Sequence, residues 1–426
     1  MAGKLSPFGS ELRRRRLEAG LSLAGLAAQV HYSKSYLSKV ETGQKPAGTV
    51  LARSCDAALS AGGELSALAR STRPAPPLDP GDDGEVWVVS LAADGAGEFR
   101  PMRRRDLLSL GAASFLGIGF STRASTAAAR DESALLAFRA MFDESRRLGQ
   151  LASPGAVLPS AIMMTQALRG MASAAGGGGT RDGLLLLAGR CAEYAGWMSQ
   201  EAGDDRAATW WTDRATELAA TAGDGDLAAY TLIRQAEIAL YRDDARRTIA
   251  LARAAQQRPG TLPRVRGLAA QREAQGHALA GDYDACRRML DRASNLLAAD
   301  WSAALPHPLL GSSTVPNLDQ VVTAWCLHDL GRPGDAAAIL DRELPRIPAS
   351  ARRARARFGV RQALAHAEAG DVQRACTLTT ELLDPVELVD SATIRLDLRR
   401  LAHTLARRHR HSAVRAVYPR LTASLR

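Results

Sequence analysis

The chain has 426 residues, 46% of them hydrophobic and 5% aromatic, with a formal net charge of +10. That length implies about two to four domains and leaves room for a substantial core. Its five cysteines, Cys55, Cys191, Cys286, Cys326 and Cys376, lie far apart with no C-x-x-C pair, so neither a zinc site nor a disulfide framework is expected.

Ala, Leu and Arg dominate the composition, and all three are strong helix formers, so an all-α protein is the first expectation. The charge is uneven: residues 1–70 hold ten Lys/Arg against five Asp/Glu, and residues 391–426 hold nine Arg against one Asp. Two basic ends on a near-neutral body point to a localised polyanion contact, while the carboxyl-terminal arginines taken alone read first as a solvated face on the last helices.

From Phe8 the chain reads "FGSELRRRRLEAG", "LSLAGLAAQVHYS" and "KSYLSKVETGQKP", three short helix patterns each ended by a turn signal. Gly20 suits a left-handed helix end, and Ser22 and Ser33 suit the caps that open the second and third helices. In the third, Leu37 and Val40 share one face with Tyr36 beside them, leaving Lys34, Ser35, Ser38 and Lys39 outward. A short, polar, positive face of this kind suits the major groove of DNA, where hydroxyls and ammonium groups meet base edges and phosphates.

The stretch "GLSLAGLAAQVHYSKSYLSKVETGQKP" resembles the helix-turn-helix of the phage-repressor, or xenobiotic-response-element (XRE), family. Leu21, Ser22, Leu26, Ala27, Ser33, Leu37, Ser38, Lys39, Glu41, Gly43 and Pro46 fall in its register. The resemblance implies a five-helix DNA-binding head over residues 1–70, with Lys34, Ser35 and Ser38 reading bases and Lys39 and Lys45 on phosphate. It also implies an Arg16–Glu41 pair. Leu23 departs from the glutamine common at that position, and Arg15 stands where an apolar residue is common. A helical bundle that only mediates protein contacts is the structural alternative.

Residues 71–84 read as a proline- and acid-rich linker, and residues 85–130 as a small β-hairpin, with its turn at Asp94 and Gly95, followed by a connecting helix. That helix carries "MRRRDLLSLGAASFLGIG", Met102 to Gly119, which has the order of a twin-arginine export signal. Its place after a DNA-binding head argues for a joint in a cytoplasmic protein. The apolar run from Leu107 to Phe120 is also too short and glycine-rich for a membrane span.

Residues 131–426 are helical in period and repetitive. "GDDRAATWWTDRA" at Gly203 and "GDYDACRRMLDRA" at Gly281 share Gly, Asp, Ala and then Asp-Arg-Ala at equal offsets, with weaker copies at Tyr241, Gly331 and Gly370. A helix pair per unit of this length is the mark of an α-solenoid, and the pattern resembles divergent tetratricopeptide repeats. The first helix of each pair is expected to line a concave groove. On those helices Trp197, Arg234, Tyr241, Trp325 and His328 are the candidates for ligand contact, each also explicable as a packing or surface residue.

No phosphate loop, H-E-x-x-H helix or G-x-S-x-G elbow occurs, so no enzyme, catalytic residue, cofactor or metal site is expected. The expected protein is therefore all-α, a repressor-type head joined to a tetratricopeptide-like sensor or dimerisation array. It resembles bacterial quorum-sensing regulators, with double-stranded DNA, a second copy of itself and a peptide or small molecule as partners, and no membrane. The rival is an interaction scaffold whose array recruits a protein while the head only localises it.

Overall fold

A computed structural model of the chain describes residues 7–71, 85–91, 97–103, 128–175, 178–298, 309–312 and 314–425. The linker at 72–84, the turn at Asp94 and Gly95, and the apolar run from Leu107 to Phe120 lie outside the described residues. No helix among the described residues is long and apolar enough to cross a membrane.

The head consists of α1 (Pro7–Glu18), α2 (Leu23–Gln29), α3 (Lys34–Glu41), α4 (Thr49–Ala58) and α5 (Glu64–Ser71). Phe8, Leu12, Leu26, Val30, Leu37, Val40, Leu51, Cys55 and Leu65 form its core. The first and third helices approach closely because position 9 is glycine, where a Cβ would lie 2.5 Å from the Val40 carbonyl oxygen. Asp56 ties α4 to α5, its carboxylate accepting from the Leu65 and Ser66 amides at 3.0 and 2.9 Å. Two strands follow, β1 (Glu85–Leu91) and β2 (Gly97–Arg103), paired antiparallel with Val88 opposite Arg100.

The remainder is helical: α6 (Ala128–Leu151), α7 (Pro154–Ala174), α8 (Gly179–Ala202), α9 (Asp205–Thr221), α10 (Gly225–Tyr241), α11 (Ala245–Gln257), α12 (Pro263–Ala280), α13 (Tyr283–Leu297), α14 (Leu318–Asp329), α15 (Pro333–Glu343), α16 (Arg352–Ala369), α17 (Val372–Val389), α18 (Ala392–Ala406) and α19 (Ser412–Ala423). Helices pack on their sequence neighbours, and α8, α10, α12, α14, α16 and α18 also pack on one another in succession.

The repeated Gly-Asp has a local cause. Gly203, Gly281 and Gly370 end their helices in the left-handed conformation, and the aspartate that follows opens the next helix. Asp204, Asp282 and Asp371 each accept from the amide three residues on, at 2.8, 2.9 and 3.1 Å. The unit at 242 does the same with Asp243 in the positive-φ position and Asp244 as cap.

The array curls until its start meets its end. Arg353 on α16 donates to the Gly149 carbonyl at 2.6 Å, to Glu201 at 2.8 Å and to the Val389 carbonyl at 3.1 Å. Glu201, fully buried, also accepts from Arg357, Ser391 and Thr393. Burial works to raise its carboxyl, but Arg357 and Arg353 outweigh that and hold it below the usual range.

Candidate nucleic-acid interface

The third helix is placed by local chemistry. Ser33 caps it, accepting from the Tyr36 amide at 3.2 Å, and Ser22 caps α2 through the Gly25 amide at 3.0 Å. Leu37, Val40 and Glu41 face the core, while Lys34, Ser35, Lys39 and Lys45 are exposed and Ser38 is half-buried. Arg16 donates to Glu41 through Nε and Nη2 at 2.6 and 2.9 Å, locking α1 to the end of α3. Arg15, which breaks the apolar pattern of α1, is accommodated by carboxylates: it donates to Glu11 at 2.8 Å and also to Glu64 of α5.

The two short helices, their serine caps and the turn at His31 and Tyr32 make a bihelical unit that presents one polar, positive face. Residues 7–69 match a helix-turn-helix domain family. No curated protein matches the chain. The helix-turn-helix domain supports a DNA-binding regulator, with α3 as the helix that carries the outward lysines and serines.

The helix-turn-helix domain docks on the array through α4 and the turns that follow α2 and α4, leaving Lys34, Ser35 and Lys39 exposed. Arg53 on α4 donates to Asp329 Oδ1 at 3.0 Å and lies 3.7 Å from Asp243. Backbones meet without side chains between them: a Cβ on Gly63 would lie 2.1 Å from the Ala280 carbonyl oxygen. Gly331 abuts Arg53 and Ala57 in the same way. Nothing in the repeat pattern announces this contact. One signal was available, namely a charged residue buried on the apolar helix "TVLARSCDAA", which needs a partner from outside the head.

Three of the expected groove residues, Trp197, Arg234 and Trp325, line an open cavity of about 580 Å³ between α6, α8, α10, α12, α14, α16 and the segment before α14. Tyr241 and His328 lie outside that lining. The Tyr241 ring packs on Trp325 with centroids 6.0 Å apart, and His328 turns toward the head, within 3.2 Å of Glu368 and 3.3 Å of Asp329.

The cavity is lined by seven arginines against four carboxylates. Burial raises the Glu237 carboxyl, yet Arg234, Arg272 and Arg357 outweigh it and hold the group at about 2. The side-chain amide nitrogens of Gln271 and Gln275 are buried there with no hydrogen-bond partner among the described residues. Sequence reading passed over both glutamines, because an unsatisfied donor is a property of packing and not of pattern.

Cavity and head share one carboxylate. Trp325, on the cavity wall under the Arg361 guanidinium, donates from Nε1 to Asp329 Oδ2 at 3.1 Å. The other oxygen of Asp329 receives Arg53.

Proposed function

We propose that the chain is a sequence-specific transcriptional regulator of the XRE type, acting in the cytoplasm, with a tetratricopeptide-like array that senses a signal and holds a dimer. The observation that carries the reading is the helix-turn-helix domain with its exposed α3 face. In this reading Lys34, Ser35 and Ser38 meet base edges, and Lys39 and Lys45 meet phosphates.

A signal site is supported by the central cavity, whose arginine excess and unpartnered Gln271 and Gln275 amides suit an acidic small molecule or short peptide. Asp329, touched from the cavity by Trp325 and from the head by Arg53, supports a route by which occupancy biases head position. Dimer formation is supported by Leu136, Met141, Leu148 and Leu151, exposed on one side of α6.

The deciding experiment is selection of duplexes from a random pool by the full chain, followed by titration of Lys34→Ala and Ser35→Ala. Each should cost about 1–3 kcal/mol on the selected duplex and much less on random DNA. Equal losses on both would remove the base-reading role.

A further inference from the structure

The two basic ends of the sequence, more than three hundred residues apart, meet in the fold. The turn between α18 and α19 carries Arg407, Arg408, His409 and Arg410, and it lies against the turn between α2 and α3 of the head. Arg407 stacks its guanidinium on the Tyr32 ring, 4.1 Å from the centroid. The Tyr32 and Tyr36 ring centroids are 5.5 Å apart, and Lys45 Nζ lies 5.6 Å from the Tyr36 ring. A cation therefore flanks each end of the tyrosine pair, Lys45 from the loop after α3 and Arg407 from the tip of the array.

The charges at that tip are not spent inside the protein. Arg395, Arg400 and Arg420 pair with aspartates. Arg408 and the exposed Arg410 have no carboxylate partner among the described residues. Arg408 and Arg407 line a cleft of about 330 Å³ with Gln29, His31 and Tyr32, whose one acidic residue, Glu368, is within 3.2 Å of His328. Burial, and secondarily the positive Arg408 across the cleft, hold the His31 imidazole below its usual range. That turn leads directly into Lys34 and Ser35, the residues assigned to the major groove, whose phosphate walls stand about 12 Å apart.

We propose that the array tip, through Arg408 and Arg410, is a second DNA-binding element that contacts backbone phosphates beside the half-site held by the head. The proposal rests on the reading of the head as the DNA reader. Its contribution is sequence-independent, because guanidinium–phosphate contacts fix position and carry no base information. It adds counterion release to that of Lys39 and Lys45, the residues assigned to phosphate in the head.

The test is a salt series of anisotropy titrations on the full chain with a random-sequence duplex, comparing the unmodified protein with Arg408→Ala/Arg410→Ala. Two lost phosphate contacts should flatten the plot of log Kd against log salt by about two units. Arg408→Lys/Arg410→Lys should restore most of that slope. Arg287→Ala/Arg288→Ala, an equal charge loss on exposed positions of α13, should leave it unchanged. A slope kept in the tip variant, or lost equally in the α13 variant, overturns the proposal while leaving the head reading intact. Failure of the unmodified chain to bind any duplex overturns both. A melting temperature equal to that of the unmodified chain in each variant ties the slopes to the interface rather than to folding.

Discussion

Replacing Arg53 with alanine should release the head from the array. The guanidinium is 6% exposed and sits 3.0 Å from Asp329, itself 5% exposed, so water screens the pair little. Removing one partner of a buried pair typically costs about 3–5 kcal/mol, mostly for the charge left behind. Asp329 keeps the Trp325 indole and His328 as neighbours, which places the loss at the lower end. A loss of about 3 kcal/mol shifts the ratio of docked to undocked heads by about a hundredfold. Small-angle scattering should register it as a larger radius of gyration, with faster hydrogen exchange at the Gly331 turn. The double replacement Arg53→Met/Asp329→Asn removes both charges, keeps an acceptor for the Trp325 indole, and should stay closer to the unmodified protein than Arg53→Ala does. Unchanged scattering in Arg53→Ala, or equal expansion in the single and double variants, would refute the argument that charge holds the head.

The His328 imidazole is pushed down by burial but raised further by Glu368 and Asp329, to about 9. A raised value means that its stabilisation is full below about 6.5 and is lost as pH climbs through about 9, so the melting temperature should fall across that interval and His328→Gln should flatten the fall. Lys39→Ala should weaken binding to selected and random duplexes alike and lower the salt slope by about one unit, as salt-dependent gel shifts would measure. Glu201→Gln leaves Arg353 and Arg357 buried with a neutral partner and should cost about 3–5 kcal/mol of array stability, read by denaturant unfolding.

The head was legible because its determinants are local. Ser22, Ser33 and Gly20 act within a few residues of where they stand, and the Arg16–Glu41 pair follows from the resemblance once α1 and α3 are located. The Gly-Asp repeat was legible for the same reason, being a helix end followed by a helix cap. The ring closure at Glu201 and the Arg53–Asp329 bridge join residues far apart in sequence, and a lone charge in a helical pattern does not name its partner. Tyr241 and His328 escaped for another reason. The first helices of the pairs are buried on most of their circumference, so no apolar stripe marks which side faces the cavity.

The head rests on the turns at Gly281, Gly331 and Gly370, which belong to three consecutive repeats. Such a seat is a gauge of curvature. Each repeat is rotated by a small step from the last, so a change in that step moves the three turns by unequal amounts while the head, held by its own core, stays rigid. Where Gly63 meets Gly281 there is no side chain to flex and take up the difference, and a Cβ on Gly281 would stand 2.5 Å from the Gly63 Cα. The seat is therefore matched to the pitch that the repeats have here, with backbone rather than side chain setting the tolerance at its closest point.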